Sequence, residues 1–175
     1  WFGGMRFIAD ARALIPRSPL AELIAEGCAP FVSHPPERIL DLCCGGGCIG
    51  ILAAHQFPLA RVDLADLSAD ALALARENVS LHTLADRVSL WQSNLFEALE
   101  GRYDLMLSNP PYVPLDEGLE LPPEYSHEPS LGLISEDDGL AIPLQILREA
   151  PDYLSDGGVL VMEVGYSVEQ LSARL

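Results

Sequence analysis

Two stretches of this chain hold residues whose types and spacing suit chemistry. One reads Asp41-Leu42-Cys43-Cys44-Gly45-Gly46-Gly47-Cys48-Ile49-Gly50, the other Asn109-Pro110-Pro111-Tyr112. In the first, glycines let the backbone turn sharply and let a ligand come close. A helix starting behind them would aim its free N–H groups at that ligand. Gly45, Gly47 and Gly50 satisfy G-x-G-x-x-G, a weak signal alone in a chain with 14 glycines. Asp66, 19 residues after Gly47, strengthens it, because a carboxylate there can accept both hydroxyls of a ribose. Gly-loop plus acid reads as a nucleoside site and leaves NAD and S-adenosylmethionine both open. Asp41 leans toward the second, since a carboxylate beside the turn would meet a cationic amino-acid group and repel a pyrophosphate. A local cap for the turn is the plainer reading of Asp41.

The second stretch is stiff. Two prolines fix two φ angles and remove two backbone donors, leaving carbonyl acceptors. Asn109 adds a side-chain acceptor and donor, and Tyr112 a flat wall. The set suits a planar –NH2 group, with carbonyls taking its hydrogens and a ring beside it. The plainer alternative is a rigid turn without chemistry.

Positioning two such loops requires strands that end together. Strand-like and helix-like segments alternate. Residues 5–15 read as a short strand or hairpin. Ser18-Pro19 opens a helix to about Gly27. Residues 38–43 form an apolar strand, and a helix runs from the glycines to about Phe57. RVDLADLS is a strand, followed by the helix SADALALARENV, capped by Ser68. RVSLWQSN and YDLMLSN are strands, 110–130 a proline-rich connection, 139–153 a helix and 158–164 a strand. Such alternation implies a doubly wound, mainly parallel α/β sheet, with ligands at the carboxyl ends of the strands.

Composition narrows the classes. The 175 residues include 26 acids against 10 bases, all arginine, for a net charge of −16. With 49% hydrophobic residues and a mean hydropathy of +0.20, a disordered acidic tail is excluded. No apolar run reaches the length of a membrane span, and nothing resembles a secretory leader. The chain starts at Trp1 and reads as part of a longer cytoplasmic protein. The charge opposes stable nucleic-acid binding and favours a basic partner. Cys28 stands alone, and Cys43, Cys44 and Cys48 match no zinc spacing, so they read as small fillers and no metal site is expected. The sequence does not reveal an oligomeric state.

The motifs together resemble class I S-adenosylmethionine-dependent methyltransferases of the HemK type, the protein-(glutamine-N5) methyltransferases. The resemblance spans IPRSPLAELI, DLCCGGGCIG, LADLSADALALARENV, SNPPY, EYSHEPSLGL and EDDGL. Ser-Pro after IPR and the PPEYSHEP segment are most similar to the branch acting on the third protein of the large ribosomal subunit. The release-factor branch usually has proline-glutamate there. Asn-Pro-Pro-Tyr is shared with DNA adenine methyltransferases.

The resemblance implies a Rossmann-like fold with S-adenosylmethionine as cofactor and a basic ribosomal protein as substrate. Gly45 and Gly47 would line the donor loop, Asp41 would sit near its amino-acid end, and Asp66 would hold its ribose. Cys43, Leu67, Asn94, Leu95 and Asn109 are also placed on the donor side. Asn109 and Pro110 would bind the target amide, with Pro111 and Tyr112 beside it. Arg17 is a candidate structural or donor-side contact. His127 is the one candidate base in the acceptor segment and reads better as a surface residue. Two departures stand out: Cys-Cys-Gly-Gly-Gly replaces the more usual Cys-Thr-Gly-Ser-Gly, and Asn94 replaces the common aspartate near the adenine amine. Residues 1–17 read as a hairpin or linker from a missing N-terminal domain, and 18–175 as a catalytic domain with an incomplete C-terminus. Competing readings are a release-factor methyltransferase, a nucleic-acid adenine N6-methyltransferase and an NAD-binding module.

Overall fold

The computed structural model describes residues 1–14, 17–114, 134–135, 139–165 and 168–174. Five parallel strands form its sheet: β1 (Arg38–Leu42), β2 (Arg61–Asp66), β3 (Val88–Gln92), β4 (Tyr103–Ser108) and β7 (Leu154–Met162). Their order is β3-β2-β1-β4-β7. A separate two-residue parallel pair joins β5 (Val113–Pro114) to β6 (Ile134–Ser135). The helices are α1 (Leu20–Ala25), α2 (Cys48–Gln56), α3 (Ala69–Leu81), α4 (Ala141–Tyr153) and α5 (Val168–Ser172). The doubly wound architecture expected from the alternation is therefore the one adopted.

The order in which successive strands are laid down reverses between β1 and β4, which pair in parallel from Ile39↔Leu105 to Leu42↔Ser108. That reversal opens a crevice at the carboxyl ends, where both candidate loops emerge. Side chains alternate between two cores. Ile39, Val62, Leu64, Leu105 and Leu107 face one with helix residues Ile24, Ile51 and Leu72. Leu40, Leu42, Ala65 and Met106 face the other with Phe96, Ile146 and Ala150. Helix α2 is buried from Cys48 to Ala54, in keeping with an apolar sequence without a polar face. Helix α3 is capped as expected, the Ser68 hydroxyl accepting from Ala71 N–H at 3.2 Å.

Three local expectations change. Of the strand or hairpin expected over 5–15, the described residues 5–14 form no strand; an antiparallel bridge joins Phe2 to Met5, and side chains satisfy the following backbone. Asn78 accepts from Ile8 N–H at 2.8 Å and donates to the Ile8 carbonyl at 3.1 Å. Helix α1 ends at Ala25 with left-handed Gly27 just past its C-cap, as expected of a glycine stop, but its N-cap is Pro19 without a side-chain cap bond. The Ser18 hydroxyl, expected to cap, accepts from Leu20 N–H at 3.2 Å but gives its own proton to Glu163. Strand β7 begins at Leu154 rather than 158, with a register shift opposite Tyr103–Leu105. No helix among the described residues is long and apolar enough to cross a membrane.

Candidate functional site: a cavity between two strand-end loops

The crevice holds a cavity of about 210 Å³, lined from the ends of β1, β2, β3 and β4 and by the N-terminal segment. Cys43, Gly45, Asp66, Leu67, Asn94, Leu95, Asn109 and Pro111 all line it, so most of the residues singled out by sequence converge. Asp41, Gly47, Pro110 and Tyr112 stand outside that lining. Arg17 is exposed and outside it as well. His127 lies outside the described residues.

The glycine loop is held by carboxylates beneath it. Asp66 Oδ2 accepts from Gly45 N–H at 2.8 Å and Oδ1 from Ser68 N–H at 2.9 Å. Each oxygen keeps a second lone pair. Burial pushes the Asp66 carboxyl above its usual range, against the pull of those N–H groups. Asp41 is fully buried; Oδ2 accepts from Gly50 N–H at 2.7 Å, while Oδ1 has no hydrogen-bond partner. Burial raises this carboxyl to about 7, opposed by the Gly50 bond and reinforced by the Asp66 charge. Gly50 must be glycine, because an added Cβ would overlap Leu64 Cδ2 and come within 2.9 Å of Asp41 Cβ. Gly47 caps α2 at φ 78°, where its Cβ would lie 2.9 Å from Leu64 Cδ1.

Cys43 (φ 59°) and Leu95 (φ 47°) also adopt left-handed backbone where they line the cavity. Such conformations cost energy in non-glycine residues and recur at ligand clamps. Cys43, Cys44 and Cys48 are free thiols, and burial raises all three, which keeps them protonated and poor as nucleophiles.

Sequence reasoning missed Asn78, which is fully buried. Besides its two bonds to Ile8 it donates to the Gly46 carbonyl at 2.9 Å. One amide thus ties the glycine loop to the N-terminal segment, whose Arg12, Ala13 and Leu14 form a wall of the cavity. Arg12 is held there by Asp10 at 2.7 Å and Glu77 at 2.6 Å. The signal was present: Asn78 falls on the same face of α3 as buried Ala71, Leu74 and Ala75.

On the acceptor side, Pro110 is buried and Asn109 half-buried. The Asn109 amide has no hydrogen-bond partner among the described residues. Tyr112 donates its hydroxyl to Glu163 Oε1 at 3.2 Å. Asn94 Nδ2 donates to Glu97 Oε1 at 2.9 Å, which leaves its amide oxygen as the acceptor.

A parallel sheet with this reversal, a glycine turn after β1, an acid ending β2 and Asn-Pro-Pro-Tyr after β4 define a class I, Rossmann-like methyltransferase fold. A solved ribosomal protein L11 methylase from Lactobacillus delbrueckii subsp. bulgaricus superposes with a TM-score of 0.63, covering 93% of this chain and 70% of that one. At 18% identity the likeness is one of fold. The family model described as "Methyltransferase small domain" matches residues 25–119, and the chain belongs to that family. The methyl donor that family and fold imply is S-adenosylmethionine. The residues present fit it: Asp66, with a lone pair left on each oxygen, and the Gly45 backbone line one cavity, and buried Asp41, whose Oδ1 has no hydrogen-bond partner among the described residues, directly precedes Leu42 of that lining.

Two curated relatives are named "Ribosomal protein uL3 glutamine methyltransferase". That of Xanthomonas campestris pv. campestris is 55% identical over 98% of this chain and 56% of its own length. That of Bordetella pertussis is 49% identical over 99% of this chain and 59% of its own length. The chain therefore spans just over half the length of the curated relatives it matches.

Proposed function

We propose that this chain carries the donor site and reacting centre of an enzyme that N5-methylates a glutamine side chain in the large-subunit ribosomal protein uL3. The observation that carries the reading is the half-buried Asn109 amide, without a partner among the described residues, lining the same cavity as the glycine loop. The relatives' names, on identities of 49–55%, support the choice of substrate. We assign residues 18–175 to the catalytic unit. Residues 1–14 are its leading segment, which packs against it through Phe2 and Ala13.

The donor would be held by Gly45, the lone pairs left on Asp66, and the Asn94 amide oxygen, with Asp41 behind its amino-acid end. When bound it supplies a methyl group on a cationic sulfur that leaves neutral. An amide nitrogen is a weak nucleophile because its lone pair is delocalised, so the protein's task is alignment. Aligning groups this way contributes about 7–11 kcal/mol to lowering a barrier. Asn109 Oδ1 and the Pro110 carbonyl would accept the two amide hydrogens, which turns the nitrogen toward the methyl and stabilises the positive charge that develops on it. The methylated nitrogen then gives up one of its two protons to water, leaving the neutral N-methyl amide; that cationic nitrogen is acidic enough that no strong base is required.

The partner would be basic. Between Tyr103 and Leu147 the chain has nine acids and no arginine, around the acceptor loop. That charge opposes a polyanion, which sets aside the nucleic-acid adenine reading, and steers a lysine- and arginine-rich protein. The test is mass spectrometry of uL3 and of a release factor, each incubated with the full-length protein and donor. The expected result is a gain of one methylene on a single uL3 glutamine. Modification of the release factor alone would move the assignment to that branch.

A further inference from the structure

Glu163 follows β7 and is not assigned any role by the motifs above. Its backbone N–H donates to the Ser108 carbonyl at 3.0 Å, just before Asn109. Its carboxylate has two hydroxyl partners from opposite sides of the site. Oε2 accepts from Ser18 Oγ at 2.6 Å, and Oε1 accepts from Tyr112 Oη at 3.2 Å. Ser18 lines the donor cavity. Tyr112 ends the acceptor loop, and its ring lies on Gly165, where an added Cβ would come within 2.7 Å of Cε2. Ser18 and Tyr112 are otherwise far apart in sequence, so one carboxylate links a residue of the cavity wall to the last residue of the proline loop.

Resting on the glutamine reading, we propose that Glu163 is a positioning residue that couples the donor cavity to the acceptor loop. Because a carboxylate only accepts, both hydroxyls must donate to it. The Tyr112 hydroxyl is thereby turned away from the target, and the tyrosine contributes its ring rather than a proton. Any shift of the Ser18 wall when the donor enters is transmitted through Glu163 to Tyr112 and so to Asn109. Glutamine binding should therefore depend on whether the donor site is filled, and this dependence should vanish without the carboxylate.

The experiment compares the full-length wild type with Glu163→Gln, Glu163→Ala and Ser18→Ala, using a uL3 peptide containing the target glutamine and S-adenosylhomocysteine as the non-reacting donor probe. In the wild type the probe should tighten the peptide. In Glu163→Ala the peptide KM should rise about tenfold, the size of a lost hydrogen bond to a charged group. The affinity of the probe alone should hardly change, and tightening of the peptide by the probe should be lost. Glu163→Gln, which keeps the shape and one acceptor, should fall between, and Ser18→Ala should lose the coupling while keeping most of the peptide affinity. A Glu163→Ala enzyme with unchanged peptide KM and intact coupling overturns the inference. So do equal losses of probe and peptide affinity that track a lowered Tm, which mark a merely structural residue. A wild type that binds donor but methylates no glutamine overturns the glutamine reading and this inference with it.

Discussion

The glycine loop and the proline loop follow neighbouring strands in register, Leu42 opposite Ser108, yet they are held by opposite means. The glycine loop is fixed from below by buried groups acting on backbone: Asp66 on Gly45, Asn78 on Gly46, Asp41 on Gly50. Its own side chains are absent or small. The proline loop has surrendered two backbone donors and is fixed through its last side chain, by Glu163 and Gly165 against Tyr112. The first arrangement leaves backbone exposed to a ligand of constant structure. The second leaves the Asn109 amide without a partner among the described residues, where on the proposed reading it would meet a group presented by another protein. Donor and acceptor functions should accordingly fail separately.

The largest expected separation is at Asn109. Asn109→Ala should lower kcat roughly 100- to 1,000-fold, the cost of removing one well-placed group that acts on developing charge. Donor affinity by calorimetry should stay nearly unchanged, because the glycine loop is held elsewhere. Normal turnover would remove the acceptor role of the proline loop. Asp66→Ala is the converse: donor affinity should weaken about 10- to 100-fold, as for a lost charged hydrogen-bonding group. Saturating donor should restore most of kcat. A kcat loss as large as that of Asn109→Ala at saturating donor would erase the distinction between the loops.

How far the sequence revealed this arrangement follows the same division. The strand-helix alternation, the Ser68 cap and both loops were legible because each rests on local chemistry within a few residues. Asp66 was legible because strand-end acids are unusual in apolar runs. Glu163 carries that same signature, at the end of GVLVMEV, but its meaning depends on Ser18, 145 residues away, which no local pattern reports. Asn78 could be placed on the buried face of α3, but not against Ile8 and Gly46, since an irregular N-terminal segment supplies the partner. Residues 5–15 misled for the same reason: their apolar pattern suits a strand, and side-chain bonds from α3 replaced the ladder. Asn94 shows an intermediate case, where the residue was legible and its orientation by Glu97 was not.

Asp41 offers a pH test confined to the donor side. Its carboxyl ordinarily titrates near 3.8 and is raised by burial to about 7. The fold then binds a proton more tightly than the unfolded chain. The stability from this group is full below its ordinary value and is lost as the pH rises through about 7. Donor affinity should move the other way, because a cationic donor favours the ionised form, gaining up to about tenfold per pH unit below 7. Asp41→Asn should flatten both slopes, measured as differences from wild type in Tm and in donor Kd between pH 5 and 8, where the other ionisable groups cancel. Peptide KM at saturating donor should show no such difference. An unchanged pH slope in Asp41→Asn would place the linkage in another group.

The smallest effect belongs to the acceptor side. Steering by the acids that flank the proline loop in the sequence would be long-range, so added salt should weaken it, the screening length shrinking from about 8 Å near physiological salt to about 3 Å at 1 M. Methylation of whole uL3 should therefore slow a few-fold at high salt, through kcat/KM rather than kcat. A short neutral glutamine peptide has no charge to be steered and should lose little. Donor affinity depends on half-buried Asp66 and buried Asp41, which salt reaches far less than surface acids, and should hold within error. Equal salt sensitivity of protein and peptide would reduce the acidic surface to a solvated face and leave Asn109 and its loop to select the substrate unaided.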